Sequence, residues 1–156
     1  MSIEQDIQQA QFRNTQQKAI INLLYTHGWV MERIKNLLAA EDITPQQFNI
    51  LRILRGSFPV PLSTLQIRER MLDKMSDTSR IVDRLIAKEL VQKSINPADK
   101  RLVDVLITER GQQLLHKLDD RNAEMDNIVG NLSEAEAQQL SDLLDKARGS
   151  VPGEAS

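Results

Sequence analysis

The sequence contains no cysteine, which excludes thiol nucleophiles, thiol redox switches, disulfides and cysteine-held metals. Its two histidines, His27 and His116, have no HExxH company, so no metal site is legible and no metal or cofactor is expected. GxGxxG, GxxxxGK[ST] and GxSxG are all missing, which leaves nucleotide-fold and serine-hydrolase chemistry without a signature. The adjacent carboxylates Asp119 and Asp120 fall on a predicted helix, where neighbours diverge by about 100°, so they read as a solvated face and not an acid/base pair. An enzyme is not expected. No apolar run approaches the ~18 residues of a membrane span, and the first residues have neither the basic start nor the apolar centre of a secretion signal. A cytoplasmic protein with no membrane association is the expectation.

What is present is 156 residues, enough for one domain with a real core, carrying a net charge of −2. The charge is unevenly divided. Residues 49–101 hold 11 basic and 6 acidic side chains, whereas 102–156 hold 5 and 11. A basic middle third suits either a solvated surface or a polyanion, and position must decide between them.

Residues 1–17 are glutamine-rich without sustained apolar period and read as a frayed helix or disordered arm. Periodicity starts at Ile20: Ile20, Leu24, His27, Met31, Ile34 and Leu38 share one helix face, with Tyr25 and Trp29 opposite. A helix apolar on both sides is expected to be buried on both, the second partner being another subunit. Gly28 in its middle suggests close backbone packing, and His27 reads first as a packing histidine. Thr44-Pro45-Gln46-Gln47 is a capping box with proline at the first helical position, opening a helix that stops near Gly56. Ser57 to Pro61 is an extended connector.

Ser63 and Gln66 form a second capping box, opening a short helix through Ile67 and Met71. After a break near Lys74 another helix starts, with Ser76 or Asp77 as cap; the pair is a helix-turn-helix pattern. In the second helix Thr78, Ile81, Val82 and Leu85 project to one side. Ser76, Asp77, Arg80, Asp83, Arg84 and Ala87 project to the other. Arginines at i and i+4 can fork onto guanine or phosphate, and the free N–H groups of the first turn with the short Ser76 and Thr78 side chains suit phosphate oxygens; Asp77, at the same helix start, is counted with them among the DNA-binding positions. Leu90 to Ile95 and Leu102 to Ile107 then read as a hairpin whose tip carries Asp99, Lys100 and Arg101. Helix-turn-helix plus charged hairpin is the plan of a winged helix, with the helix in the major groove and the wing on the backbone or minor groove.

Thr108 caps a predicted long helix through Leu114, Leu115, Leu118, Met125, Ile128 and Val129, ended by Gly130-Asn131. Ser133 and Glu136 form a third capping box before Leu140, Leu143 and Leu144. The expected fold class is mostly α with a small β hairpin (α+β). It comprises an N-terminal arm and dimerisation helix over 1–42 and a winged helix-turn-helix lobe over 43–111. C-terminal dimerisation helices over 112–148 and a disordered tail over 149–156 complete it.

The stretch Asp99-Lys100-Arg101-Leu102-Val103-Asp104-Val105-Leu106-Ile107-Thr108-Glu109-Arg110-Gly111 resembles the wing signature of the MarR family of bacterial transcription regulators, Asp-x-Arg followed by an aliphatic strand and Leu-Thr-x-x-Gly. Thr44 to Leu54 and Ser79 to Leu85 before Leu90-Val91 are similar to that family's second and recognition helices. Two departures stand out: Ile107 replaces the usual leucine, and Glu89 replaces the usual glycine, so a different turn into the hairpin is expected. The resemblance implies a homodimeric, sequence-specific DNA-binding repressor or activator on a pseudo-palindromic operator. Arg101 enters the minor groove, steadied by Asp99, which also reads as a turn-forming aspartate. It further implies release by a small aromatic or phenolic effector, with His27, Trp29 and Arg52 as candidate contacts that read first as core or interface packing. The alternative is a winged-helix module that binds protein without specific DNA binding, and loss of Arg80, Arg84 or Arg101 discriminates the two.

Overall fold

Side-chain caps set the helix boundaries. Thr44 Oγ1 accepts from the Gln47 N–H and Gln47 Oε1 from the Thr44 N–H, both at 3.1 Å. The same reciprocal box recurs at Ser63/Gln66 and Ser133/Glu136, while Asn14, Asp77 and Thr108 cap singly. Each such cap is worth about 1 kcal/mol. The computed structural model describes residues 1–149; the rest of the stretch expected to be a disordered tail lies outside the described residues.

The chain divides into two units, the first Met1–Asp120 and the second beginning at Arg121. In the first, α1 (Ile3–Asp6), α2 (Thr15–Leu38), α3 (Pro45–Ser57), β1 (Leu62–Ser63), α4 (Thr64–Arg70), α5 (Thr78–Ala87), β2 (Val91–Ile95), β3 (Val103–Ile107) and α6 (Glu109–Asp119) follow in order. The second holds α7 (Asn122–Asp126) and α8 (Glu134–Ala147). The fold is mostly helical with a small antiparallel sheet of order β1-β3-β2. β2 and β3 form the expected hairpin, in register Val91↔Ile107 to Ile95↔Val103. β1 adds a third strand by pairing Leu62 with Val105, and two residues are too few to show alternation in a sequence.

The core of the first unit gathers on α3. Ile50, Leu51 and Leu54 are buried with Val82 and Leu85 of α5, Val105 and Ile107 of β3, and Leu115 of α6. Burying side chains of this size stabilises by about 1.5–3 kcal/mol each, so α3 holds α5 and the sheet in one lobe. Arg55 ties the end of α6 to α3: its Nη1 and Nη2 donate to Asp119 at 2.8 and 3.2 Å. Asp119 thus belongs to a bidentate ion pair, not to the solvated face expected for it.

Several sequence expectations need correction. The start of the chain is not a loose arm: Ser2 and Gln5 cap α1, Ile3 is buried, and the Lys18 ammonium holds the Glu4 carboxyl down to about 2. Ile20, Leu24 and Tyr25 on α2 are exposed within this chain, which leaves open the face assigned to another subunit. Among the described residues a Cβ on Gly28 would meet nothing within 4 Å, so no close packing among them explains that glycine. The long helix expected after Thr108 breaks at Asp120 and Arg121, where Arg121 leaves helical geometry (φ −106°, ψ 14°) and its guanidinium turns to Glu124 at 2.8 Å.

The joint between α5 and β2 also differs from expectation. Glu89 takes positive φ (61°), so a non-glycine residue adopts the conformation glycine usually supplies, and the turn is kept. Local bonds hold it there: Thr108 Oγ1 donates to the Glu89 carbonyl at 2.8 Å, and Arg110 pairs with the Glu89 carboxylate at 2.9 Å.

Candidate nucleic-acid interface

The α5 helix presents the outward face that its periodicity predicts. Val82 and Leu85 are buried, whereas Asp77, Arg80, Asp83, Arg84 and Ala87 are exposed. Asp77 Oδ1 accepts from the Arg80 N–H at 3.2 Å, fixing the first turn. Its Oδ2 lies 3.8 Å from Arg80 Nε, and Lys93 on β2 lies 3.4 Å from Asp83. These exposed pairs are weak, on the order of 0–1 kcal/mol, so Arg80 is readily released to a polyanion.

Thr78 is a correction. At 5% exposure it is part of the core side of α5, because positions 78, 82 and 85 fall on one helical stripe. Its side chain therefore cannot meet a phosphate. The Ser76 Oγ is buried as well, although the residue is only partly so, and neither hydroxyl has a hydrogen-bond partner among the described residues, so the phosphate role expected of the Ser76 hydroxyl is corrected with that of Thr78.

The wing tip is built by three side chains. Asn96 Oδ1 accepts from the Ala98 and Asp99 N–H groups at 2.8 and 3.0 Å, an Asx turn that Pro97 suits. Asp99 then takes Arg101 three ways: Oδ1 accepts from its N–H and its Nε, both at 3.0 Å, and Oδ2 accepts from Nη2 at 3.1 Å. The Arg101 side chain, followed by the backbone bond, holds the Asp99 carboxyl below its ordinary 3.8. Charge-assisted forks of this kind fix direction as well as distance. Arg101 is thereby held by Asp99 while its side chain stays 90% exposed, with Lys100 exposed beside it.

Sequence reasoning passed over Arg68 and Arg70 at the end of α4 and Lys74 in the following turn, all exposed. The signal was two basic residues in the last turn of a helix one turn before α5. The effector candidates lie apart from this cluster in sequence. His27 is exposed, not packed; Trp29 lies 3.6 Å from the Arg33 guanidinium; exposed Arg52 lies 5.6 Å from the Phe48 ring. None of the three lines the pocket of about 470 Å³ to which Ile43, Lys88, Leu90, Arg110 and Leu114 contribute.

Comparison with known proteins bears on the same segments. Residues 43–103 match the model of the MarR family. The chain is 28% identical to the HTH-type transcriptional regulator MhqR of Bacillus subtilis over 128 residues, 81% of this chain and 87% of that protein. It is 30% identical to the HTH-type transcriptional repressor MdtR of the same species over 107 residues, 68% of each chain. The structure of a mutant MarR from E. coli, complexed with operator DNA, superposes with a TM-score of 0.73 at 24% identity. That match spans 81% of this chain and 91% of the other.

Proposed function

The chain belongs to the MarR family of transcription regulators, and from that premise we propose that it acts as a homodimer on a pseudo-palindromic operator in the cytoplasm, repressing transcription by occupying it. The supporting observation is the wing tip, where Asp99 fixes an exposed Arg101 in the same lobe as the exposed Arg80 and Arg84 of α5. In this reading α5 enters the major groove, Arg80 and Arg84 fork onto guanine edges or phosphates, and its capped N-terminus lies against the backbone. Arg101, with Lys100, reaches the adjacent minor groove. Asp77 contributes through the helix start, whereas Ser76 and Thr78 contribute through backbone alone. A two-fold dimer sets the half-sites about 10 bp apart.

Release by a small aromatic or phenolic effector belongs to the same proposal. Its supports are the two ring–guanidinium pairs, Trp29 with Arg33 and Phe48 with Arg52, and the open imidazole of His27. Flat π systems and anions both suit such pairs.

The test is fluorescence anisotropy on a duplex from upstream of the protein's own gene, at two salt concentrations, with alanine at Arg80, Arg84 or Arg101. Each substitution is expected to cost on the order of 1–3 kcal/mol and to flatten the salt dependence. Unchanged affinity in all three variants would instead favour a protein-binding winged helix.

A further inference from the structure

Apart from Met1, the large apolar side chains most open to solvent among the described residues are Leu72, 88% exposed, and Met75, 92% exposed. Both stand in the turn that joins α4 to α5. A water-facing turn is ordinarily polar, so two bare apolar groups within four residues need an occupant.

The turn is not a slack loop. The Leu72 N–H donates to Asn49 Oδ1 on α3 at 2.9 Å, the Met75 N–H donates to Asp73 Oδ1 at 3.0 Å, and the Ser76 N–H donates to the Asp73 carbonyl at 3.2 Å. Lys74 Nζ also donates to the Glu69 carbonyl, and Met71 is buried at the turn's base. With the backbone held this way, Leu72 and Met75 are kept outward instead of folding onto the lobe.

The charges around them say what the occupant is. Arg70 precedes the pair, Lys74 stands between its two members, and Arg80 lies one turn into α5. Of the nearby acids, Asp73 and Asp77 each spend a carboxylate oxygen on a backbone N–H, which leaves Glu69 as the third. The centre of a protein-docking surface is depleted of charge, whereas a DNA-facing surface mixes cations with a few apolar groups that meet thymine methyls. Residues at the N-terminal end of a recognition helix are the ones that reach base edges, and this turn leads directly into that end.

We propose that Leu72 and Met75 are base-reading residues that take thymine 5-methyl groups at the major-groove edge ahead of α5. The operator then requires a T·A pair outside the bases reached by Arg80 and Arg84. This rests on the DNA-binding reading above.

The test uses the full chain and a duplex enriched from a random pool, in which each thymidine is replaced singly by deoxyuridine so that only a methyl group is lost. One such replacement per half-site is expected to weaken wild-type binding about fourfold, the worth of one buried methyl-sized group. Met75→Ala or Leu72→Ala should bind the parent duplex more weakly and lose that sensitivity, while Met75→Leu keeps it. Neither alanine variant should alter the salt slope, unlike Lys74→Ala. If no deoxyuridine replacement weakens the wild type, or if both alanine variants retain the sensitivity, the proposal is overturned while DNA binding stands. If no duplex is enriched at all, the DNA-binding reading fails and takes this one with it.

Discussion

Arg101 is almost fully exposed and still directed, because one carboxylate takes its backbone N–H, Nε and Nη2 together. The carboxyl of Asp99 is held below 3.8, so the ionised form is the one the wing selects. The sign follows from that depression: whatever the clamp contributes is present above the unfolded value and is lost as pH falls through the lowered folded one. At neutral pH it is fully in place. An NMR titration of the Asp99 carboxyl should give a midpoint below 3.8 that returns toward 3.8 in Arg101→Ala; equal midpoints would show that the fork does not persist in solution. Both residues stood out in the sequence through the resemblance of Asp99-Lys100-Arg101 to the wing signature, with Asp99 also readable as a turn-forming aspartate in an Asn-Pro loop. Thr78 shows where residue-level reading slipped: its phase with Val82 and Leu85 already put it inside, and a phosphate role contradicted that phase.

At the scale of elements, recognition helix and wing are coupled through one crowded joint. A Cβ on Gly111 would lie under 3.0 Å from both the Leu90 carbonyl and the Ile107 side chain. The glycine of the Leu-Thr-x-x-Gly signature is therefore the clearance that lets the start of β2 cross the first turn of α6. Gly111→Ala should destabilise the protein by about 1–3 kcal/mol in urea unfolding, the usual range for overpacking against a fixed neighbour. A change under about 0.5 kcal/mol, within the scatter of ordinary surface substitutions, would mean that the joint yields easily. Cap residues made the starts of α3, α4, α5, α6 and α8 readable from sequence. The break at Asp120 and Arg121 was not, since the apolar period of Leu115 and Leu118 runs on to Met125, Ile128 and Val129 without glycine or proline. What ends α6 there is a backbone change at Arg121, and the Arg55–Asp119 pair that fixes the preceding residue joins positions 64 apart.

For the molecule as a whole, the telling feature is apolar surface left uncovered at both ends of the chain. Ile20, Leu23, Leu24 and Tyr25 on α2 are exposed, as are Leu140 and Leu143 on α8. The periodicity of α2 called for cover on both sides with another subunit as the second partner, and the described residues of this chain leave that second face open. A second copy is the occupant that a two-fold operator requires. Sedimentation at micromolar concentration should give a dimer, and Leu24→Glu with Leu143→Glu should shift it toward monomer and weaken operator binding together. The most direct measurement joins both halves of the account. Sedimentation of the wild-type chain with a duplex enriched from a random pool should find two chains per duplex and half-sites about 10 bp apart. Preference over a scrambled duplex should reach at least the ~10³ of specific binding. One chain per duplex, or equal weak binding to enriched and scrambled DNA, would contradict it.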